Sequence, residues 1–331
     1  MKAVKFALKR YKMRTITIGE NDANQRLDKF MTKFFATMPQ SLLYKYIRKK
    51  CVRVNGKHVG GEHMLSCGDV LNFYIKDEFF DLPTKTFSFD DVKINLDIVY
   101  EDKNILLINK PEGVVCHESE SSAANDTLIS QIQAYLYKKG EYLPQNENTF
   151  TPALCNRLDR NTQGIIIAAK NAEALRILNK KIKDREIHKY YLCLALGKFD
   201  KKSGEVSAYL AKDESKNQVT IFENQKPGSK KIITRYRVLD YKDGISLVEV
   251  ELVTGRTHQI RAHLAYMSHP LVGDKKYGGR QNSSVTRQYQ ALCSYKLSFD
   301  FTTNAKSLSY LDKKTFALNN IDFLKDFNFE F

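Results

Sequence analysis

The chain has 331 residues, with 53 Lys and Arg against 38 Asp and Glu and a formal net charge of +15. This length allows two domains and a sizeable core, and the charge points to a polyanionic partner. No apolar run approaches the ~20 residues of a membrane span, no apolar stretch of a secretory signal follows the basic start, and six cysteines without a Cys-x-x-Cys pair exclude a disulfide framework, fitting reduced thiols in a cytoplasmic protein.

The charge is unevenly distributed. Residues 1 to 76 hold 16 Lys and Arg against 5 Asp and Glu, and the rest hold 37 against 33. Such asymmetry marks a nucleic-acid-binding module, or else a soluble basic face. Within it, residues 26 to 37 place Leu27, Phe30, Met31, Phe34 and Phe35 at helical spacing. A surface ion pair is expected between Arg26 and Asp28. Ser41 is placed to cap a second helix that ends in the cations Arg48, Lys49 and Lys50. Val52-Arg53-Val54, an Asn55-Gly56 turn and Lys57-His58-Val59 predict a hairpin. Gly68-Asp69 precedes one more strand.

The ordered set formed by Arg26-Leu27-Asp28-Lys29-Phe30, the Ser41 helix, Val52-Arg53-Val54-Asn55-Gly56 and Gly68-Asp69-Val70 resembles the small α-L RNA-binding motif. The resemblance implies that Arg48, Lys49, Lys50 and Arg53 hold RNA by its phosphates without reading base sequence.

Residues 77 to 95 are acidic and aromatic without helical period and read as a linker; the second domain, 96 to 331, follows. Ile98-Val99-Tyr100 and 105 to 108 bracket a hairpin, and Lys110-Pro111-Glu112-Gly113 forms a turn. Asp126 and Asn171 are placed to cap helices over 127 to 139 and 172 to 183. Apolar β-type runs at 165 to 169, 189 to 196, 204 to 210, 217 to 222, 231 to 239, 245 to 253 and 291 to 301 predict strands, and 257 to 267 reads as a helix. The run from Thr302 onward has no assigned role. The fold class expected is α+β: a small α-L module, then a mixed, mostly antiparallel sheet flanked by helices and loops.

The stretch from Ala153 to Lys170 sets Asp159 between Arg157 and Arg160, before a Thr-Gln-Gly turn and a buried strand. Taken alone, Asp159 fits a structural turn as well as a catalyst, since Arg-Leu-Asp recurs at residue 26. The wider pattern adds Lys110-Pro111-Glu112-Gly113, Lys189-Tyr190-Tyr191-Leu192 and the run Thr254-Gly255-Arg256-Thr257-His258-Gln259-Ile260-Arg261-Ala262-His263, then Gly273-Asp274 and Tyr277-Gly278. Together these resemble the RluA family of pseudouridine synthases over about 96 to 300. Asn156 and Gln163 depart from it, standing where many members carry histidine and serine.

The resemblance implies a cofactor-independent isomerase that modifies uridines in RNA, 23S ribosomal RNA being the substrate expected and a monomer the expected state. Asp159 would be the catalytic aspartate and Arg261 its ion-pair partner; Tyr191 would stack on uracil. Arg157 would fill the gap left by a flipped uridine, and Arg256 would contact phosphate. Each also has a plainer reading, as a core tyrosine, a surface cation or a loop support. His258, His263 and His269 lack the spacing of a zinc helix, and no metal is expected. A transfer-RNA enzyme and a non-catalytic ribosome-assembly factor remain rivals. A methyltransferase lacks its Gly-x-Gly loop.

Overall fold

The computed structural model describes residues 12–80, 89–118, 126–213, 215, 218–278 and 287–331. Two compact units emerge. The first comprises Met1–Asp91 with Gln133–Pro152 and Asn171–Glu173; the second holds Val92–Ile132, Ala153–Lys170 and Ala174–Phe331. The first unit thus reaches beyond residue 76 and takes in two later segments.

In the first unit, β1 (Arg14–Thr17), β2 (Val52–Val54) and β3 (Val70–Phe73) form an antiparallel sheet in the order β1-β3-β2. Helices α1 (Leu27–Phe34) and α2 (Gln40–Arg48) pack with it. The helical spacing read from the sequence is what buries Leu27, Phe30 and Met31, with Phe35 just beyond the helix end. Phe35 meets Phe73 edge to face at 5.3 Å, a pair worth about 1 kcal/mol beyond its burial. Arg26 and Asp28 do pair, at 2.6 Å, but Asp28 is buried rather than on the surface.

Three expectations change here. Pro39, not Ser41, takes the N-cap position of α2, and no side chain caps that helix; proline's fixed φ serves as the entry. Asn55 and Gly56 adopt the left-handed turn, yet the hairpin stops after one bridge, Val54 to Lys57. β2 pairs instead with β3, which offers apolar Leu71 and Phe73 opposite Val54 and Val52. The linker does not begin as a free segment: Asp77–Phe79 is a 3-10 turn, and Phe80 stacks edge-on against Phe35 at 5.1 Å. Residues 81 to 88 of that linker lie outside the described residues.

The second unit is built on an eleven-stranded sheet. β4 (Ile98–Glu101) and β5 (Ile105–Lys110) form the predicted hairpin, with β6 (Ala153–Leu154), β7 (Gln163–Ala169), β8 (Ile187–Leu196), β9 (Ser203–Asp213), β10 (Gln218–Phe222), β11 (Lys230–Lys242), β12 (Ile245–Leu252), β13 (Leu292–Phe299) and β14 (Thr315–Ala317) following. Its order is β10-β9-β11-β12-β8-β13-β7-β5-β4, with β14 beside β13 and β6 beside β7. All pairings are antiparallel except β13 with β7. Helix α3 (Leu128–Lys138) passes from the second unit into the first after Ile132, α4 (Ala172–Lys183) belongs to the second unit from Ala174 on, and α5 (Gln259–Tyr266) and α6 (Asp322–Asp326) complete its elements. The protein is therefore α+β. Among the described residues no helix is long and apolar enough to cross a membrane.

The cap of α3 is Thr127 rather than Asp126. The Ser130 N–H donates to Thr127 Oγ1 at 3.2 Å, because only the residue directly before the first turn can reach that donor. The unassigned run after Thr302 also finds its place. Leu308, Leu311, Phe323 and Leu324 are buried in the same core as Ile165, Leu192 and Leu297. Fully burying each such side chain contributes roughly 1.5–3 kcal/mol.

Candidate active site

The loop between β6 and β7 is held from several sides. The Asn156 side chain lies along β7, accepting from the Ile167 N–H at 2.8 Å and donating to the Ile165 carbonyl at 3.4 Å. It acts as a substitute strand partner, a role its two-sided amide suits. Lys110 is fully buried, and its Nζ donates to the carbonyls of Pro111, Val114 and Arg160 at 2.7, 2.8 and 2.9 Å. It thereby staples the Lys-Pro-Glu-Gly turn to the loop. Burial pulls its pKa down to about 8. Thr162 turns the chain by donating its N–H to the Asp159 carbonyl, and its hydroxyl accepts from Gln290 Nε2 at 3.0 Å. Gly164, at φ 131°, closes the turn. A Cβ there would sit 2.5 Å from the Ser294 nitrogen and closer still to its carbonyl oxygen, so only glycine lets β7 and β13 meet.

Asp159 stands on this loop with its side chain 25% exposed. Opposite it, the turn before α5 is fixed by buried Gln259. That amide donates to the Ile233 carbonyl and to Thr234 Oγ1, and accepts from Thr254 Oγ1 and the Arg256 N–H. One helical turn of α5 then directs Arg261 inward. Its Nε and Nη2 donate to the two oxygens of Asp274 at 2.7 and 2.9 Å, and its Nη1 donates to Asp159 Oδ2 at 2.8 Å. Asp274 is fully buried and also receives the Lys276 N–H at 3.0 Å. Burial opposes the charge on Arg261, but the bonds to Asp274 and Asp159 outweigh it and raise its pKa. The guanidinium also lies 5.3 Å from the Tyr277 ring centroid.

The Asp159 carboxylate is therefore held unequally. Oδ2 takes the Arg261 bond and faces His258 Nε2 at 3.7 Å. Oδ1 has no hydrogen-bond donor among the described residues. His258, at φ 52°, donates or accepts at Nδ1 with the Tyr277 hydroxyl, 2.8 Å away, and burial lowers its pKa.

A cleft of about 900 Å³ opens at this carboxylate, within the range of a site that encloses a small ligand. Asp159, Arg261, Tyr191, Arg157 and Arg256 all line it. Tyr191 is 6% exposed on β8, and burial raises its phenol pKa. Arg157 and Arg256 are exposed, and Arg157 Nη2 donates to Thr257 Oγ1 at 3.3 Å.

Arg48, Lys49, Lys50 and Arg53 are not among the lining residues; they belong to the first unit. The first three are exposed at the end of α2, whereas Arg53 is half-buried with its guanidinium 5.4 Å from the Tyr74 ring centroid.

Lys189, His258, Asp274 and Tyr277 are the neighbours that sequence reasoning did not single out as site residues. Lys189 precedes Tyr191 by two and so shares its face of β8; it lines the cleft without a bonded partner among the described residues, and burial lowers its pKa. That period of two was the available signal. No local signal tied Asp274 to Arg261.

The other two histidines of interest lie away from any ligand set. His263 is buried with Nδ1 2.8 Å from Thr234 Oγ1, and burial drives its pKa down to about 4. His269 stacks on Phe199 at 3.7 Å. Among the described residues no group of three or more His, Cys, Asp or Glu side chains could hold a metal ion.

Known proteins share this arrangement of sequence. The family described as RNA pseudouridylate synthase matches residues 104–266. A ribosomal large subunit pseudouridine synthase C of Vibrio cholerae is 35% identical over 285 residues, covering 85% of each chain. An uncharacterized RNA pseudouridine synthase of Mycoplasma capricolum is 32% identical over 93% of this chain and 98% of its own. In fold, the human RNA pseudouridylate synthase domain containing 4 superposes with a TM-score of 0.53 at 20% identity, over 71% of this chain and 94% of that one.

Proposed function

Because the chain belongs to the RluA family of RNA pseudouridine synthases, we propose that it isomerises uridine in cytoplasmic large-subunit ribosomal RNA, with Asp159 as the catalytic carboxylate. The observation that carries this is the unequal hold on Asp159. One oxygen is pinned by Arg261, and the other has no hydrogen-bond donor among the described residues and stands at the edge of a cleft of about 900 Å³. A carboxylate with one oxygen open to the cleft can add to an electrophilic carbon or remove a proton.

In the reaction the N1–C1′ bond of uridine breaks, the base turns, and a C5–C1′ bond forms. The C5 hydrogen leaves as a proton and N1 gains one, so the change is an isomerisation with no redox balance to supply. Tyr191, on the floor of the cleft, offers a ring for uracil to stack on and a phenol kept neutral by burial. Arg157 and Arg256 supply exposed cations beside the same cleft for phosphates or for the gap left by a flipped base.

Ribosomal RNA as substrate rests on the name of the Vibrio cholerae relative and on the basic first 76 residues, which we assign as an α-L-type anchor. Arg48, Lys49, Lys50 and Arg53 would hold the RNA there.

The test is pseudouridine mapping of ribosomal and transfer RNA from cells lacking the protein, complemented by the wild type or by Asp159→Asn. The expected result is loss of one or more large-subunit sites, restored only by the wild type. Loss confined to transfer RNA would overturn the substrate, and restoration by Asp159→Asn would overturn the catalyst.

A further inference from the structure

Beyond Arg261, one more polar side chain among the described residues approaches the carboxylate, and a chain of contacts stands behind it. The Val219 N–H on β10 donates to the Tyr277 hydroxyl oxygen at 3.0 Å. The Tyr277 hydroxyl lies 2.8 Å from His258 Nδ1, and His258 Nε2 lies 3.7 Å from Asp159 Oδ2. His258 is itself in the left-handed region, a conformation that its neighbours must hold in place.

We propose that His258 is a positioning residue for Asp159: Tyr277 fixes it as the Nε2–H tautomer, whose protonated nitrogen faces Asp159 Oδ2 at 3.7 Å, beside the Arg261 bond, and leaves Oδ1 for the reaction. This rests on the assignment of Asp159 as catalyst. A bare Nε2 lone pair facing a carboxylate oxygen would be repulsive, so the hydrogen belongs on Nε2. Nδ1 is then the acceptor and the Tyr277 O–H its donor. Tyr277 can give its hydrogen to His258 because its own oxygen is already supplied by Val219. The relay ties an edge strand of the sheet to the carboxylate.

The charged and titratable groups facing the imidazole are Asp159 from the loop, Arg261 from α5, and Asp274, Lys276 and Tyr277 from the segment after α5. Desolvation and the two cations lower the pKa of His258 while Asp159 and Asp274 raise it; the net effect is downward. That direction favours the neutral ring, which presents a polarised N–H to the carboxylate rather than a second cation.

The experiment combines two readouts on the full chain. In protein labelled with ¹⁵N-histidine, with the His258 signals assigned by their absence from His258→Gln, Nε2 should be protonated and Nδ1 bare at pH 7. An Nδ1–H tautomer would overturn the proposal, and this measurement needs no variant to be active.

On an RNA substrate, His258→Ala should slow single turnover by up to about 10-fold with RNA affinity unchanged, as expected for loss of one polar N–H facing a charged group. His258→Gln, whose amide nitrogen can stand in for Nε2–H, should recover to within roughly threefold of wild type. Tyr277→Phe should fall between the two. Equal loss in Ala and Gln variants, weaker RNA binding in place of slower turnover, or unchanged turnover in His258→Ala would each overturn the donor role. Asp159→Asn is measured beside them. If it turns over normally, the assignment of Asp159 fails; if it is inert while His258→Ala is normal, only the role of His258 fails.

Discussion

Asp274 is the residue on which the geometry around Asp159 depends most heavily, and Asp274→Asn tests this. The carboxylate is fully buried and grips Arg261 through two bonds of 2.7 and 2.9 Å. Removing one partner of a buried pair costs about 3–5 kcal/mol. Asparagine keeps one acceptor, which favours the lower end, about 3 kcal/mol. For a unit of this size each kcal/mol moves the melting point by roughly 2–4 °C, so a fall of about 6–12 °C is expected.

The effect on turnover follows from orientation. With Nε and Nη2 no longer fixed, Arg261 loses the angle that aims Nη1 at Asp159 Oδ2. One charge-assisted bond is worth about 1.5–3 kcal/mol, or roughly 10- to 150-fold in rate. The assays are thermal unfolding and single-turnover pseudouridine formation at a temperature where the variant remains folded. A melting point within 2 °C of wild type (about 1 kcal/mol at most) with undiminished turnover would refute the view that Asp274 orients Arg261.

Further expectations concern the scaffold, acidity and RNA binding. Gly164→Ala should lower stability by at least about 2 kcal/mol, read from urea unfolding, since φ of 131° and the close Ser294 backbone both oppose a Cβ; an unchanged midpoint would contradict the packing of β7 on β13. His263 has a folded pKa of about 4, below its unfolded value of 6.5. Its contribution is therefore fully present above pH 6.5 and lost as pH falls toward 4, amounting to about 3 kcal/mol at most. His263→Asn should flatten stability over that window, and an equal acid slope would show that His263 does not titrate there. Replacing Arg48, Lys49 and Lys50 together by Gln should weaken RNA binding alike across sequences and reduce the salt slope by roughly one per lost phosphate contact; an undiminished slope would remove these cations from the interface.

The local grammar of the chain was legible residue by residue. Alternation and apolar runs located β7, β8, β11, β12 and β13 within a few positions, and helical spacing located α1, α4 and α5. The stretch around Asp159 stood out by its pattern, as did the run that ends in Arg261. Corrections fell where a residue has several competent partners. Val52–Val54 could pair across its own Asn-Gly turn or with β3, and apolar burial against Leu71 and Phe73 decided. Ser41 and Asp126 are good capping residues that stand two positions and one position away from where caps were needed. The final thirty residues carry too little period to read alone, yet Leu308, Leu311 and Phe323 are buried because the core needed those side chains.

What the sequence by itself determined was composition and period: a basic front end, an α+β succession of elements, and the two motifs that carry the family pattern. Only the tertiary structure decided how these motifs meet. Arg261, named as the partner of Asp159 through the family resemblance and not through spacing, reaches it across 102 positions of chain, and its other nitrogens are taken by Asp274, thirteen positions on. His258 faces the same carboxylate while leaning on a tyrosine that an edge strand holds. Spacing along a chain encodes what neighbours in a helix or strand share, because those contacts repeat with a fixed period. A hydrogen bond between distant segments has no period. It exists because the sheet brings the Asp159 loop and α5 close enough for their side chains to meet at 2.8 Å, and that distance is a property of the whole fold.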